Sequence, residues 1–160
     1  MALESINLVL QGRHAGQQGV SPGPQITRAE WATFRNRMNE VLLPADAMAS
    51  DTNDYGLFYC VAGITITNCY VISAGALTAD NTSYATLTVQ TKHSATLTTV
   101  STLTTKITGS NDWVAKSIFT MTTATPIAAV ATDTINLNIA KASSGVALPV
   151  FSVAFEWYYT

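Results

Sequence analysis

The chain has 160 residues, enough for one compact domain with an appendage and too few for two full domains. Its apolar fraction of 48% can fill a core, yet charged residues make up only 11%, so something other than charge must keep the surface wet. A net charge of -2 excludes the counterion-release footprint of a nucleic-acid binder and the basic patch of a protein held to anionic lipid, and no apolar run nears the roughly 20 residues of a membrane helix. Glu4 stands where a secretion leader would be basic and then apolar, so no export is expected from this start.

Threonine, the commonest residue, is β-branched and carries a hydroxyl, which suits a pleated surface with one wetted face. All four arginines (Arg13, Arg28, Arg35, Arg37) lie before residue 50 and all four lysines (Lys92, Lys106, Lys116, Lys141) after it, so the two parts are built differently. Residues 1–26 open with the strand-like run Ile6-Asn7-Leu8-Val9-Leu10 and continue through Gly12, Gly16, Gly19, Pro22, Gly23 and Pro24, which predicts an extended arm on a pliable lead. Over 27–43 the spacing predicts an amphipathic helix. Thr27 and Glu30 make a capping-box pattern, Trp31, Phe34, Met38, Val41 and Leu42 recur at helical intervals, and Pro44 ends the run. Residues 44–56 read as a linker.

From Leu57 to Thr160 the period is two, which predicts an antiparallel β-sandwich or jelly roll of seven or eight short strands. Leu57–Val61 and Ile64–Ser73 make strands separated or bulged at Gly63. Leu87 and Val89 alternate with threonines, and Ile135, Leu137 and Ile139 alternate with Asn136 and Asn138. Phe151, Val153, Phe155, Trp157 and Tyr159 share one face of the last strand, opposite Ser152, Ala154 and Glu156, and all these strands read as half-buried, with one face to the core and one to water. Residues 95–108 have helix-like apolar spacing at Leu97, Val100, Leu103 and Ile107, but their threonine density favours strand.

The residue combinations that chemistry requires are missing, so neither an enzyme nor a cofactor or metal site is expected. His14 and His93 read as solvated loop residues without acidic co-ligands. Asp51, Asp54 and Asp80 sit in loops whose Asx turns explain them better than Ca²⁺ does. Cys60 and Cys69 fit two buried thiols better than a disulfide.

What remains is binding. Leu3, Ile6, Leu8, Val9 and Leu10 are apolar on a flexible lead and gain little alone in water. Extended, the segment spans roughly 80 Å, so it either reaches a neighbour as an added strand or folds back on its own body. Trp31, Phe34 and Met38 either cover the core or make an oligomer contact. Trp157 and Tyr159 would offer a sugar platform only if their face were exposed.

The strand-turn-strand stretches Ile64–Gln90, Asp133–Lys141 and Gly145–Val153 resemble the jelly-roll decoration, or cement, proteins of tailed-bacteriophage capsids and related head-fibre domains. The likeness spans about two-thirds of the chain and omits the arm and helix. It implies a small protein on the outer capsid surface of a virion, often a homotrimer, that binds the major capsid protein and braces it with terminal arms. A carbohydrate- or receptor-binding module of a fibre or appendage is the alternative, since sandwiches host many sites.

Overall fold

The structure, a computed structural model, describes residues 37–45, 52–107, 112–123, 126–143 and 145–160. The expected arm at 1–26 and the first part of the expected helix, 27–36, lie outside them. The described residues form ten strands and no helix. In chain order these are β1 (Arg37–Leu43), β2 (Thr52–Tyr59), β3 (Ile64–Ser73), β4 (Ala85–His93), β5 (Thr96–Thr104), β6 (Ile118–Thr120), β7 (Thr122–Thr123), β8 (Ile127–Ala129), β9 (Thr134–Lys141) and β10 (Phe151–Tyr159).

They make two antiparallel sheets. Sheet I runs β1-β10-β3-β6, with β8 also on β3, and sheet II runs β2-β9-β4-β5-β7. The pairing is nested: β1 with β10, β2 with β9, β3 with β6 and β8, and β4 with β5. The chain thus runs out and back as one long hairpin, and the lateral pairings β10 with β3 and β4 with β9 fold that hairpin into two layers. The two-sheet, all-β expectation therefore holds for the described residues.

Alternation fills the space between the layers. Leu87 and Val89 on β4 and Ile135, Leu137 and Ile139 on β9 face Ile66, Val71, Val153 and Phe155 of sheet I in one hydrophobic cluster. Phe58 of sheet II meets Phe155 of sheet I edge to face at 5.9 Å. On β3 the inward set would change face between Ile66 and Cys69, were it not that β10 pairs Trp157 with Ile66 and Glu156 with Asn68. Thr67 is the extra residue of a bulge, and its hydroxyl donates to the Glu156 carbonyl at 3.3 Å.

Three expectations need correction. Residues Arg37–Leu43, expected as the end of a helix, form β1. The helical spacing of Met38, Val41 and Leu42 coincides with a strand alternation in which Asn39, Val41 and Leu43 stand opposite the inward Phe155, Val153 and Phe151. A partner strand that pairs every residue of the segment outweighs a weak local preference. Asn39 reinforces the pairing by accepting from the Trp157 indole at 3.0 Å. Second, the expected linker at 44–56 contains the start of β2, Thr52–Gly56. Third, the last strand is not half-wetted at its centre: Ser152 and Ala154 are buried along with Phe151, Val153 and Phe155, because β10 runs between two neighbours. The ambiguous stretch 95–108 is strand over Thr96–Thr104, as its threonines favoured. Cys60 and Cys69 are both buried free thiols.

Candidate interaction surfaces

The outer face of sheet I carries exposed apolar side chains beside polar and acidic ones. Cross-strand register aligns Leu42 of β1, Ser152 of β10, Ile72 of β3 and Ile118 of β6 in a single row. Leu42 is 72% exposed and Ile118 65% exposed, while Ser152 between them is buried. The next row is Glu40, Ala154, Tyr70 and Thr120, and the next Met38, Glu156 and Asn68. Glu40 Oε1 accepts from Ser152 Oγ at 2.6 Å, and Glu156 Oε2 accepts from Asn68 Nδ2 at 2.7 Å. Loss of hydration and the neighbouring Glu156 carboxylate push the Tyr70 phenol above its ordinary pKa. By register, no strand position on this face carries lysine or arginine.

One end of the two-layered body is closed by the tight turns at 60–63, 94–95 and 130–133, and Asp133 ties them together. It is 4% exposed. Its Oδ1 lies 2.5 Å from His93 Nδ1, its Oδ2 accepts from Val130 N at 2.9 Å, and its carbonyl accepts from Cys60 N at 2.8 Å. Thr132 sits at φ 78°, a costly place for a β-branched residue, with its N–H donating to the Cys60 carbonyl at 2.7 Å. Cysteine, histidine and aspartate thus gather at one end, but a nucleophile needs its thiol pushed down. Burial and the Asp133 carboxylate instead push Cys60 up. The cluster is a clasp between turns. Asp133→Ala should cost about 2 kcal/mol in urea unfolding, because it removes a nearly buried carboxylate that accepts from the Val130 N–H and contacts His93, and so frees the turns that these two residues flank. Asp133→Asn, which still accepts, should cost less.

Neither local sequence signals this clasp, since His93 and Asp133 are 40 residues apart. His93, expected as a solvated turn residue, does remain at the surface, with its side chain 62% exposed. Asp80 behaves as expected, accepting from Thr82 N and Ser83 N at 2.6 Å in an Asx turn that holds its carboxyl below the usual range. Asp54 accepts from Asn138 on the neighbouring strand at 2.7 Å, and Asp51 lies outside the described residues. Trp157 is buried and stands edge-on to Tyr159 at 5.0 Å, so the pair makes no flat sugar platform. A groove of about 570 Å³ on sheet II is lined by threonines of β4, β5 and β7, and Lys106 Nζ lies 4.3 Å from the centre of the Tyr84 ring at its rim.

Of the residues expected to bind a partner, Leu3, Ile6, Leu8, Val9, Leu10, Trp31 and Phe34 lie outside the described residues. Met38 is placed on the outward side of β1 and is 59% exposed, which removes it from the core. Leu42, Ile72 and Ile118 were missed as a group, because register across four strands is invisible in any one of them.

No protein-family profile matches the chain, and no curated protein matches it. Among solved structures it is similar to a chain of "Structure of infectious bursal disease virus Gx strain", at 15% identity and a TM-score of 0.35, over 88% of this chain and 36% of that one. The chain therefore spans little more than a third of the viral chain's length.

Proposed function

We propose that this protein is a non-catalytic structural component of a phage virion, seated on the outer capsid surface, where it binds the major capsid protein and further copies of itself. The nested strand pairing is the winding of a jelly roll, an architecture that capsid and lectin domains share. Architecture alone assigns no role. The observation that carries the reading is the outer face of sheet I, where exposed Met38, Leu42 and Ile118 form a surface suited to contact with protein. The apolar N-terminal residues Leu3, Ile6, Leu8, Val9 and Leu10 supply a second contact, reaching a neighbouring capsid subunit as an arm and adding a strand to its sheet edge. Copies in a trimer would multiply that weak contact.

Deleting residues 1–12 should abolish attachment to purified capsids while leaving the circular dichroism and unfolding midpoint of the sandwich unchanged. Full occupancy after the deletion, counted by quantitative gel or mass measurement of the particles, would remove the arm from the mechanism.

A further inference from the structure

The outer face of sheet I is one-sided in charge as well as apolar. Glu40 and Glu156 accept hydrogen bonds from neutral Ser152 and Asn68, respectively, and neither has a cationic partner among the described side chains. Whatever covers the row Leu42–Ile72–Ile118 must therefore bring positive charge, or it desolvates two uncompensated carboxylates. Face-to-face pairing of two such sheets fails this requirement, because it would set four carboxylates around one apolar layer.

The chain itself contains the complementary chemistry in one place. Arg13, Arg28 and Arg35 outnumber Glu4 and Glu30 within residues 1–36, Trp31 and Phe34 stand between Arg28 and Arg35, and no lysine of the chain lies there. Guanidinium groups pair bidentately with carboxylates and lose less by leaving water than ammonium groups do. Thirty-six residues span up to about 120 Å when extended, far beyond one subunit of this size.

We propose that the outer face of sheet I is the seat for the arginine-bearing N-terminal segment of a second copy of this chain, with Arg28 and Arg35 on Glu40 and Glu156 and Trp31 and Phe34 on the Leu42–Ile72–Ile118 row, which leaves Leu3–Leu10 for the capsid subunit. This rests on the reading of the chain as a self-associating virion component and names the contact through which copies join. The contact is heterologous, segment to face, so it closes into a ring or trimer when each copy gives one segment and receives one.

The test uses the purified full-length chain with no capsid present, so its outcome is independent of capsid attachment. Sedimentation equilibrium should find an oligomer that weakens as salt rises. Leu42→Asp with Ile118→Asp alters only exposed side chains and should raise the dissociation constant roughly tenfold or more while the unfolding midpoint stays put. Arg28→Glu with Arg35→Glu should do the same, and adding Glu40→Arg with Glu156→Arg should restore association. A wild-type chain that stays monomeric at every concentration, an oligomer indifferent to Leu42→Asp with Ile118→Asp, or a charge reversal that the opposite reversal does not rescue would each overturn the proposal.

Discussion

Phe155→Ala unfolds at a much lower urea concentration than the wild type, with about 3–5 kcal/mol of stability lost. Phe155 is fully buried at the middle of β10, opposite Asn39 of β1 on one side and Cys69 of β3 on the other. Its ring also crosses the gap between the sheets to meet Phe58 edge to face at 5.9 Å. Truncation therefore removes a large apolar surface, an aromatic pair and the contact joining two layers, and the strands on either side hold the hole open against collapse. Since domains of this kind are stable by about 5–15 kcal/mol in total, the variant sits near the edge of folding. The control is Leu97→Ala, whose side chain is more than half exposed, and which should shift stability by no more than about 0.5 kcal/mol. A Phe155→Ala midpoint within 1 kcal/mol of wild type would mean the two layers are not held together there.

Raising the pH above 9 should destabilise the protein steeply, and Cys69 should be the main reason. Burial pushes its thiol up to about 12, against a smaller lowering by the Ser101 hydrogen bond. The sign follows from proton counting. Between pH 9 and 12 the unfolded chain gives up the thiol proton while the folded one keeps it, so each pH unit in that window removes up to about 1.4 kcal/mol. Below pH 9 the thiol is neutral in both states and contributes no slope. Cys60 and Tyr70 are also raised by burial and add in the same direction. Unfolding midpoints measured from pH 7 to 11 should fall above 9, and Cys69→Ala should flatten the slope even though it lowers stability at neutral pH. The same proton makes Cys69 inert in the folded state: at pH 8 its thiolate fraction is roughly a thousandfold below that of an ordinary thiol, so alkylation should require denaturant. A slope that Cys69→Ala leaves untouched would reassign the alkaline loss to other groups.

The core was legible wherever a strand alternates cleanly. Ile135, Leu137 and Ile139 stand where their asparagine partners imply, and Leu87 and Val89 where their threonines do, because a two-residue period needs no tertiary information. Reading failed where two periods coincide. Met38, Val41 and Leu42 satisfy a helix, and only the facing strand, far along the chain, decides for β1. The buried Ser152 and Ala154 were misread for a related reason, since flanking strands bury small side chains that composition alone assigns to water. The surfaces were least legible. The Leu42–Ser152–Ile72–Ile118 row takes one residue from each of four strands, and the Asp133 clasp joins turns that share no local motif. Both exist only after register is set.

The nested pairing also dictates an order of events during synthesis. Arg37–Leu43 is the first of the described strands to leave the ribosome, yet its hydrogen-bonding companion, Phe151–Tyr159, is the last of them. Sheet I therefore cannot close until Phe151–Tyr159 has been made, and until then a nascent chain carries an open, half-apolar strand. The higher the concentration of unfinished chains, the more prone these open strands are to pair with one another.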